Sequence, residues 1–552
     1  MREQDMNTNV PSPASPTGSP HSSPTVTPPA APAPAWLPLD AVGDDSTPLY
    51  DVAAIRRIEN AGLAATEPFT LMSRAGAAAA DWVHRHLPDG RILFLAGRGN
   101  NGGDALVAAT HLHQAGRLVE AWLIAEADQL PADAARAWFD ARAAGVPLLA
   151  MHPDPSAALP PWPTGCVAVV DGLLGIGLNR AADGDMARWI AHLNASHLPV
   201  YALDVPSGLF ADTGAGRPAI RARRTLTFLA AKPGLLTLDG RDCAGAVDIA
   251  PLGLDYPPAE RPVAVVNQPG AFRHALPSRE HASNKGHFGS LAVIGGNHGM
   301  TGAPLLGARA ALHLGAGRVH VGFLAQPAPA IDPVHPELML HPVGELSLDA
   351  MSAFVAGPGM GSGTAARKLL ADLIEACAKA EPPTPLVLDA DALNLLAADE
   401  SLKQALIDSG LHHVMTPHPL EAARLLGSSV ADVQRNRLAA AHALADDWRA
   451  TVVLKGSGTV IATAENATAT VNPTGNAGLS TAGTGDVLAG MIGALLAQGV
   501  PPLEAARAAV WIHGRAADRL VDAGTGPAGL TASELYLPAR AIFNALLQGG
   551  VA

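Results

Sequence analysis

The strongest chemical signal in the sequence is a glycine-rich stretch that ends in an aspartate. Gly483, Thr484, Gly485 and Asp486 come directly before an apolar run that predicts a helix to residue 498. Glycines at a helix N-terminus leave backbone N–H groups exposed, and the helix dipole favours an anion there. A carboxylate at the same place can accept a proton from an attacking hydroxyl, which predicts phosphoryl transfer. An ordinary helix cap is the competing interpretation of Asp486.

Other motifs in this half of the chain favour a nucleotide site. Lys455 ends a predicted strand and opens Lys-Gly-Ser-Gly-Thr at 455–459, which suits nucleotide phosphates. Turns at 357–361 and 389–394 follow two other predicted strands. His418 opens a predicted helix and is a candidate substrate contact, although most of the 21 histidines must be structural.

A second glycine turn lies in the first half of the chain, where a predicted strand runs into residues 97–104 and a helix from Ala105. The spacing of its glycines satisfies G-x-G-x-x-G, which can bring backbone close to a phosphate. A tight strand-to-helix turn is the structural alternative. Because no Gly-Lys-Ser/Thr ending follows, the turn is not an NTPase P-loop.

Three carboxylates follow predicted strands in the same half. Asp104 closes the glycine turn, and Asp171 and Asp204 end later strands. The carboxyl ends of parallel strands gather at one edge of a sheet, where ligands bind. We therefore expect the three side chains to converge on a site there.

The elements that must position these residues alternate between strand-length apolar runs and Ala-rich helical stretches. This alternation predicts parallel sheets with helices on both faces. The predicted strands are 92–96, 119–124, 167–171, 200–204 and 225–229 in a first set, and 291–294, 318–323, 354–356, 386–389, 414–416, 452–455 and 459–462 in a second. The predicted helices are 49–63, 69–86, 304–314, 365–378, 419–426 and 486–498.

The sequence divides into three parts. Residues 1–38 are rich in Pro, Ser, Thr and Ala and predict a disordered tail. A Pro-rich stretch at 254–286 separates the two strand sets, and we place the boundary near residue 272. The prediction is two α/β domains, at 39–272 and 273–552.

Composition excludes several classes of protein. The 552 residues are 48% hydrophobic, enough for sizeable cores, and the net charge of −13 argues against a nucleic-acid binder. No apolar run reaches the roughly 20 residues that a membrane span needs. The three cysteines are far apart, which favours a reducing compartment, and we expect a cytoplasmic protein.

The first half resembles the epimerase domain of the nicotinamide nucleotide hydrate repair enzymes. The matching stretches are GRGNNGGDALVAA (97–109), VVDGLLGIGL (169–178), LDVPSG (203–208) and LAAKPGLLT (229–237). That family interconverts the R and S hydrates of NADH and NADPH and binds K⁺. Small departures are Ala105, where the family usually has Gly, and Gly172 and Ile176, where Ala and Thr are common.

This resemblance implies roles for particular residues. Asn101, Asp171 and Ser207 correspond to K⁺ ligands, and Asp204 corresponds to the group nearest the nicotinamide ring, with acid–base work as its expected role. The implied substrate-binding loops consist of Asn100, Asn101, Gly102, Gly103 and Asp104, and of Gly175, Ile176, Gly177, Leu178, Asn179, Arg180 and Ala181.

The second half resembles the ribokinase-like superfamily and, within it, the nucleotide-dependent hydrate dehydratase domain of the same repair system. The matching stretches are NKGHFGSLAVIGG (284–296), GMTGAP (299–304), AGPGMG (356–361), LDADALN (388–394), TPHPLEA (416–422), LKGSGTVI (454–461) and TAGTGDVLAG (481–490). Met300, where Tyr is often found, is a minor departure. The resemblance implies a Rossmann-like three-layer domain followed by a ribokinase-like three-layer domain.

The reaction implied for the second domain is ADP-dependent dehydration of the S hydrate. ADP phosphorylates the hydroxyl, and phosphate then leaves to restore the ring, with AMP as the other product. Asp486 is the implied base, and Gly483, Thr484 and Gly485 face the phosphoryl group. The nucleotide residues are Lys455, Gly456, Ser457, Gly458 and Thr459, with Mg²⁺ on the ADP. The hydrate contacts are Ala303, Gly359, His418 and Asp486.

The expected partners are the hydrates NADHX and NADPHX and ADP, with a homo-oligomer as the expected assembly. Two alternatives stay open. A kinase of the ribokinase class would release a stable phosphorylated product. The first domain could instead be an interaction module, although the retained Asp171 and Asp204 argue against that.

Overall fold

The computed structural model describes residues 36–39, 47–151, 158–254, 256–257 and 259–550. Most of the predicted tail, residues 1–35, lies outside this range. The strands are β1 (Leu37–Pro38), β2 (Pro48–Leu49), β3 (Arg91–Ala96), β4 (Val119–Leu123), β5 (Leu148–Ala150), β6 (Cys166–Gly172), β7 (Val200–Leu203), β8 (Arg224–Phe228), β9 (Ala246–Ala250), β10 (Ala264–Val266), β11 (Ser290–Gly295), β12 (Arg318–Phe323), β13 (Met339–Pro342), β14 (Ala353–Ala356), β15 (Leu386–Leu388), β16 (His413–Met415), β17 (Thr451–Leu454), β18 (Val460–Thr463) and β19 (Asn466–Val471).

Sixteen α-helices are described between and after these strands. They are α1 (Val52–Ala65), α2 (Thr70–His86), α3 (Asn100–Gln114), α4 (Ala132–Ala143), α5 (Gly184–Asn194), α6 (Gly240–Cys243), α7 (Gly302–His313), α8 (Thr364–Lys379), α9 (Asp391–Ala398), α10 (Glu400–Asp408), α11 (Pro419–Leu425), α12 (Val430–Arg435), α13 (Arg437–Trp448), α14 (Thr484–Ala497), α15 (Pro502–Asp522) and α16 (Tyr536–Leu547).

The first sheet has eight strands in the order β1-β9-β8-β7-β6-β3-β4-β5. All its pairs are parallel except β1 with β9. Buried apolar clusters lie on both of its faces, as expected of a parallel sheet covered by helices. The Rossmann-like three-layer architecture is confirmed.

The second sheet has eleven strands in the order β13-β12-β11-β14-β15-β16-β17-β18-β19-β10-β2. Pairing is parallel from β13 to β17, and β17, β18 and β19 form an antiparallel meander. The apolar helix α14 packs against helix α7 and against strand β14. This is the ribokinase-like three-layer architecture that the sequence predicted.

Short strands from the first half complete the second sheet. Residues 264–266 pair with β19, and Pro48–Leu49 pairs with the same segment from its other side. The sequence placed both segments in the first domain, so the boundary near 272 does not follow the sheets. Trp36 is buried and Leu37–Pro38 pairs with β9, so the last residues of the predicted tail pack on the first sheet. One buried apolar cluster contains residues of both halves, including Leu235 and Val460.

Candidate functional sites

A cavity of about 850 Å³ lies at the carboxyl edge of the first sheet. Its walls are the N-terminus of α3, the loop after β6, Asp204 after β7 and Lys232 after β8. All seven predicted residues of the loop 175–181 line it, together with Asn100, Asn101 and Asp104. The predicted convergence is therefore confirmed for Asp104 and Asp204, whereas Asp171 is fully buried and does not line the cavity.

Helix α3 begins at Asn100, five residues earlier than predicted, because Gly99 in an extended conformation already forms its N-cap. Gly102 and Gly103 consequently lie in the first turns of the helix and do not line the cavity. A Cβ at Gly102 would lie 2.0 Å from the Gly97 carbonyl oxygen, and one at Gly103 would lie 2.5 Å from a side-chain carbon of Met72. These two glycines therefore allow the helix to pack closely against its neighbours, and their predicted contact with substrate stays a prediction.

The dominant polar interaction of the cavity joins Lys232 to Asp204. The Lys232 ammonium is fully buried and donates to Asp204 Oδ1 at 2.7 Å, to Thr227 Oγ1 at 2.8 Å and to the Phe228 carbonyl at 2.7 Å. The other carboxylate oxygen, Asp204 Oδ2, accepts the Ile176 N–H at 3.1 Å. The carboxylate is thus held in one orientation at the cavity wall, with its charge compensated.

Two further carboxyl groups line this cavity, and burial raises the pKa of each. Burial raises the pKa of Asp104 well above its ordinary value, and the nearby Asp204 adds to the rise. The pKa of Glu59 is also raised, mainly by burial and to a lesser extent by the negative charge of Asp204. Carboxyls with different environments in one pocket are the usual basis of separate acid and base roles.

Of the three predicted K⁺ ligands, Asn101 lines the cavity, whereas Asp171 and Ser207 do not. The Ser207 hydroxyl donates to Asp171 Oδ1 at 2.6 Å, and the Ser207 N–H donates to Asp171 Oδ2 at 2.9 Å. Burial raises the pKa of Asp171 to about 6, against the hydrogen bonds that lower it. Asn101 donates its amide to the carbonyls of Leu174 and Leu203, and its Oδ1 is buried without a hydrogen-bond partner in the described part of the chain. Asn101 and Ser207 both hydrogen-bond to Leu174, and Ser207 bonds to Asp171, so the orphan oxygen, the hydroxyl and the carboxylate belong to one connected group. The chemistry of this oxygen donor set fits a hard monovalent cation.

The second site lies at the carboxyl edge of the second sheet, where α14 begins. Asp486 is in the first turn of α14, and burial, followed by the negative charge of Asp389, raises its pKa to about 7. Lys455 donates to Asp389 Oδ1 at 2.8 Å, and Thr416 donates to the same oxygen at 2.8 Å. The Lys455 ammonium lies 3.3 Å from where a Cβ on Gly485 would be, so a side chain at residue 485 would press against the ammonium.

The Gly-Thr-Gly turn presents backbone groups to this site. The Thr484 hydroxyl donates to the carbonyls of Leu479 and Thr481, so that side chain caps its own turn. Gly483 adopts a φ of 89°, in the left-handed region that favours glycine. First-turn N–H groups lack intrahelical acceptors, which leaves those of Gly485 and Asp486 for an anion.

Loop 455–459 contacts the first domain as well as its own. The Leu238 N–H donates to the Ser457 carbonyl at 3.1 Å, and the Ser457 hydroxyl donates to the Leu238 carbonyl at 2.8 Å. A Cβ at Gly458 would lie 2.1 Å from the Leu236 carbonyl oxygen. The predicted nucleotide loop is therefore packed between both halves of the chain.

The predicted hydrate contacts lie near the same edge. Gly359 has a φ of 60°, and a Cβ there would lie 3.3 Å from that of Ala303. His418 caps α11: its Nδ1 accepts the N–H groups of Leu420 and Glu421, and its Nε2 lies 3.2 Å from Glu421 Oε1. The cap thus occupies Nδ1, while 46% of the side chain stays exposed near the charges of Lys455 and Asp389. Contact of His418 with the hydrate stays a prediction.

The sequence assigned no catalytic or binding role to four residues that the geometry places in these sites: Glu59, Lys232, Asp389 and Glu421, although Glu421 stands in the quoted stretch 416–422 as a first-turn acid. Lys232 and Asp389 stood inside quoted motifs, and lysine is rare enough in this chain to have drawn attention to the first. Glu59 lies in α1, far from any motif, and no local signal could have found it. Burial raises the pKa of Glu421 to about 7, which a sequence does not display.

Comparison with known proteins agrees with this two-site architecture. The family model described as NAD(P)H-hydrate dehydratase matches residues 291–536, and that of the YjeF-related protein N-terminus matches 68–234. The bifunctional NAD(P)H-hydrate repair enzyme of Escherichia coli is 39% identical over 491 residues, which are 86% of this chain and 90% of the relative. The namesake from Coxiella burnetii is 37% identical over 509 residues, which are 90% of this chain and 100% of the relative.

Two further proteins are similar to the second half. The ADP-dependent (S)-NAD(P)H-hydrate dehydratase of Neisseria meningitidis is 46% identical over 279 residues, 50% of this chain and 92% of that protein. The crystal structure of the ADP/ATP-dependent NAD(P)H-hydrate dehydratase of Bacillus subtilis, co-crystallised with ATP and Mg²⁺, is 27% identical, with a TM-score of 0.43, and covers 51% of this chain and 98% of that one.

The fold and the two sites define a two-domain α/β enzyme with a carboxylate-lined cavity in one domain and, in the other, a glycine-rich helix terminus that carries Asp486 beside Lys455. The identity over most of both chain lengths then decides the family. This protein belongs to the bifunctional NAD(P)H-hydrate repair enzymes.

Proposed function

We propose that the chain repairs hydrated NADH and NADPH in two steps. The first domain interconverts the R and S hydrates, and the second dehydrates the S form at the expense of ADP, releasing AMP and phosphate. The observation that carries this proposal is the position of Asp486, in the first turn of α14 beside Lys455. A base and an anion site at one helix terminus are what phosphorylation of a hydroxyl needs.

In the dehydratase site, Asp486 accepts the proton of the substrate hydroxyl as its oxygen attacks the terminal phosphorus of ADP. The N–H groups of Gly485 and Asp486 and the Lys455 ammonium stabilise the transferred phosphoryl group. Phosphate then leaves from carbon with the bonding electrons, and the ring nitrogen lone pair replaces them to give an iminium cation. The neighbouring ring carbon then loses a proton to solvent, which re-forms the C=C bond of NAD(P)H. Water is a poor leaving group and phosphate a good one, which is why the reaction consumes a nucleotide.

In the epimerase site, a proton donor protonates the hydroxyl, which leaves as water while the ring nitrogen lone pair stabilises the cation. Water then adds to the opposite face of the ring and gives its proton to an acceptor. Asp204 is the proposed acceptor, since Lys232 compensates its charge at 2.7 Å. Asp104 is the proposed donor, since burial raises its pKa. Asn100 and the loop 175–181 hold the substrate against this pair.

Two metal ions complete the proposal. Asn101, Asp171 and Ser207 would hold K⁺, which would fix the Asp171 and loop geometry behind the cavity. Mg²⁺ would accompany the ADP phosphates and neutralise their charge, with Asp389 and Asp391, whose negative charges act on Asp486, as the proposed oxygen donors. We assign ADP as the nucleotide because the relative from Neisseria meningitidis carries that specificity in its name.

We further propose a cytoplasmic homo-oligomer. Cys166, Cys243 and Cys377 are all free thiols, which suits a reducing compartment. No helix within the described residues is long and apolar enough to cross a bilayer. Light scattering on the purified chain measures the assembly.

The test is recovery of NADH absorbance from the separate R and S hydrates, with Mg²⁺ and K⁺, and with ADP, ATP or no nucleotide. ADP-dependent recovery of both forms is expected. Asp486→Ala should abolish recovery of either form, while Asp204→Ala should slow only R-form recovery, to the rate of spontaneous epimerisation. Recovery with neither nucleotide would overturn the dehydratase assignment, and a stable phosphorylated product would establish a kinase. Replacement of K⁺ by a larger organic cation should slow R-form recovery alone.

A further inference from the structure

The backbone of the predicted nucleotide loop 455–459 surrounds the side chain of a buried arginine from α13. Arg437, the first residue of α13, is 1% exposed. Its Nη2 donates to the carbonyls of Leu454 at 3.0 Å, Lys455 at 3.1 Å and Gly458 at 3.4 Å, and its Nη1 donates to Gln434 Oε1 at 2.8 Å. The guanidinium therefore bridges the two ends of the loop that carries Lys455.

The charge of this guanidinium is not compensated locally. No carboxylate in the described part of the chain forms an ion pair with Arg437, and its Nε has no hydrogen-bond partner there. Burial lowers its pKa to about 10, which still leaves it protonated at neutral pH. Burial of an unpaired cation is costly, so a structure that keeps one gains from it elsewhere.

The loop backbone is wrapped closely around this side chain. Gly456 has a φ of 135°, and a Cβ there would lie 3.0 Å from Arg437 Nη1. Carbonyls that point inward at the guanidinium cannot point outward at a bound anion. Arg437 thus removes negative dipoles from the ligand side of the loop and places a positive charge behind it.

We propose that Arg437 is a positioning residue for the nucleotide loop 455–459, and that its charge favours the diphosphate group of the nucleotide. This inference rests on the proposed function, which assigns the loop to ADP. Arg437 does not contact the reacting atoms; it acts through the backbone of Lys455 and Gly458.

The experiment compares Arg437→Lys and Arg437→Met with the wild type at saturating S hydrate. Both variants should raise the KM for ADP, by about tenfold for Arg437→Met, since a charged group loses several hydrogen bonds. The kcat should change less, because Asp486 and the α14 terminus are untouched. Arg437→Lys retains the positive charge but loses the planar guanidinium that binds several carbonyls at once. Its KM for ADP should therefore lie between those of the wild type and Arg437→Met. Arg449→Met, at the exposed end of the same helix, is the matched control and should leave KM unchanged.

Two readouts separate the possible outcomes. ADP should raise the unfolding temperature of the wild type more than that of either variant, which measures binding without activity. Epimerase activity reports that the rest of the chain is folded. An unchanged KM for ADP in Arg437→Lys, or a loss confined to kcat, overturns the proposal. If Arg437→Met fails to fold, Arg437→Lys alone decides it. A wild type that uses neither ADP nor ATP refutes the proposed function instead.

Discussion

The Lys232 ammonium lies 2.7 Å from Asp204 Oδ1, and this pair forms one wall of the first cavity. The lysine side chain is completely buried, whereas 11% of the aspartate side chain is exposed. The charge that faces the substrate is therefore the carboxylate, and the cation that supports it is sealed off from solvent. Removal of one member of such a pair leaves the other uncompensated.

Lys232→Met should slow the epimerase activity strongly, to a rate that still exceeds spontaneous epimerisation, and should spare the dehydratase. The buried carboxylate would lose its compensating cation and its fixed orientation, so it would serve only weakly as a base. The measurement is ADP-dependent recovery of the R hydrate, with recovery of the S hydrate in the same preparation as the internal reference. Lys285→Met removes an exposed lysine and should change neither rate.

A double variant tests whether the two residues act as one unit. Lys232→Met with Asp204→Asn should be no slower than the worse single variant, because groups that act together are not additive. Strictly additive losses would show that Lys232 has a separate role.

The dehydratase should lose activity as the pH falls below about 7. Burial and Asp389 raise the pKa of Asp486 to about 7, and only the ionised carboxylate can accept a proton. The kcat/KM for ADP-dependent turnover of the S hydrate should therefore fall about tenfold per pH unit well below that value. Glu421 has a similarly raised pKa, so Glu421→Gln is the control: a profile that shifts in this variant would assign the titration to Glu421 instead.

Asp486→Asn should stabilise the protein at pH 8. The folded-state pKa lies above the ordinary value of 3.8, so the folded state holds the proton more tightly than the unfolded one. The free energy of unfolding of the wild type therefore falls as the pH rises from roughly 4 to 7. Above that range the buried carboxylate is fully ionised, and its destabilising effect is complete. The amide has no such cost. Thermal unfolding at pH 8 and pH 4 measures the difference, and an equal effect at both values would contradict this account.

Gly172→Ala should destabilise the first domain, and Ala105→Gly should restore part of the loss. A Cβ at residue 172 would lie 2.6 Å from the Ala105 Cβ, so the two positions share space for one methyl group. This explains why both depart together from the usual family pattern of Gly and Ala. The single change should lower the free energy of unfolding by about 1–3 kcal/mol through overpacking.

Thermal unfolding of both single variants and the double variant measures this coupling. Ala105→Gly alone should cost about 1 kcal/mol of helix propensity in α3. The double variant should be more stable than the sum of the two single effects predicts. Additive effects would show that the neighbouring backbone, and not Ala105, opposes the new methyl group.

The sequence by itself determined the fold class and most elements of the two sites. Strand-length apolar runs separated by helical stretches are local patterns, and parallel strands bring their carboxyl ends to one edge whatever the order of strands. This is why Asp104 and Asp204 could be expected to meet, and why the turn before α14 could be assigned to an anion.

Only the tertiary structure decided which distant segments touch. Leu49 pairs with Ala264, and Leu238 with Ser457, because short edge strands and loops carry no periodic signal that specifies a partner. The burial of Lys232 against Asp204, and of Arg437 inside the nucleotide loop, likewise depends on how helices and strands pack around them. Desolvation sets the charge states of these sites, and desolvation is a property of the packed chain rather than of any stretch of its sequence.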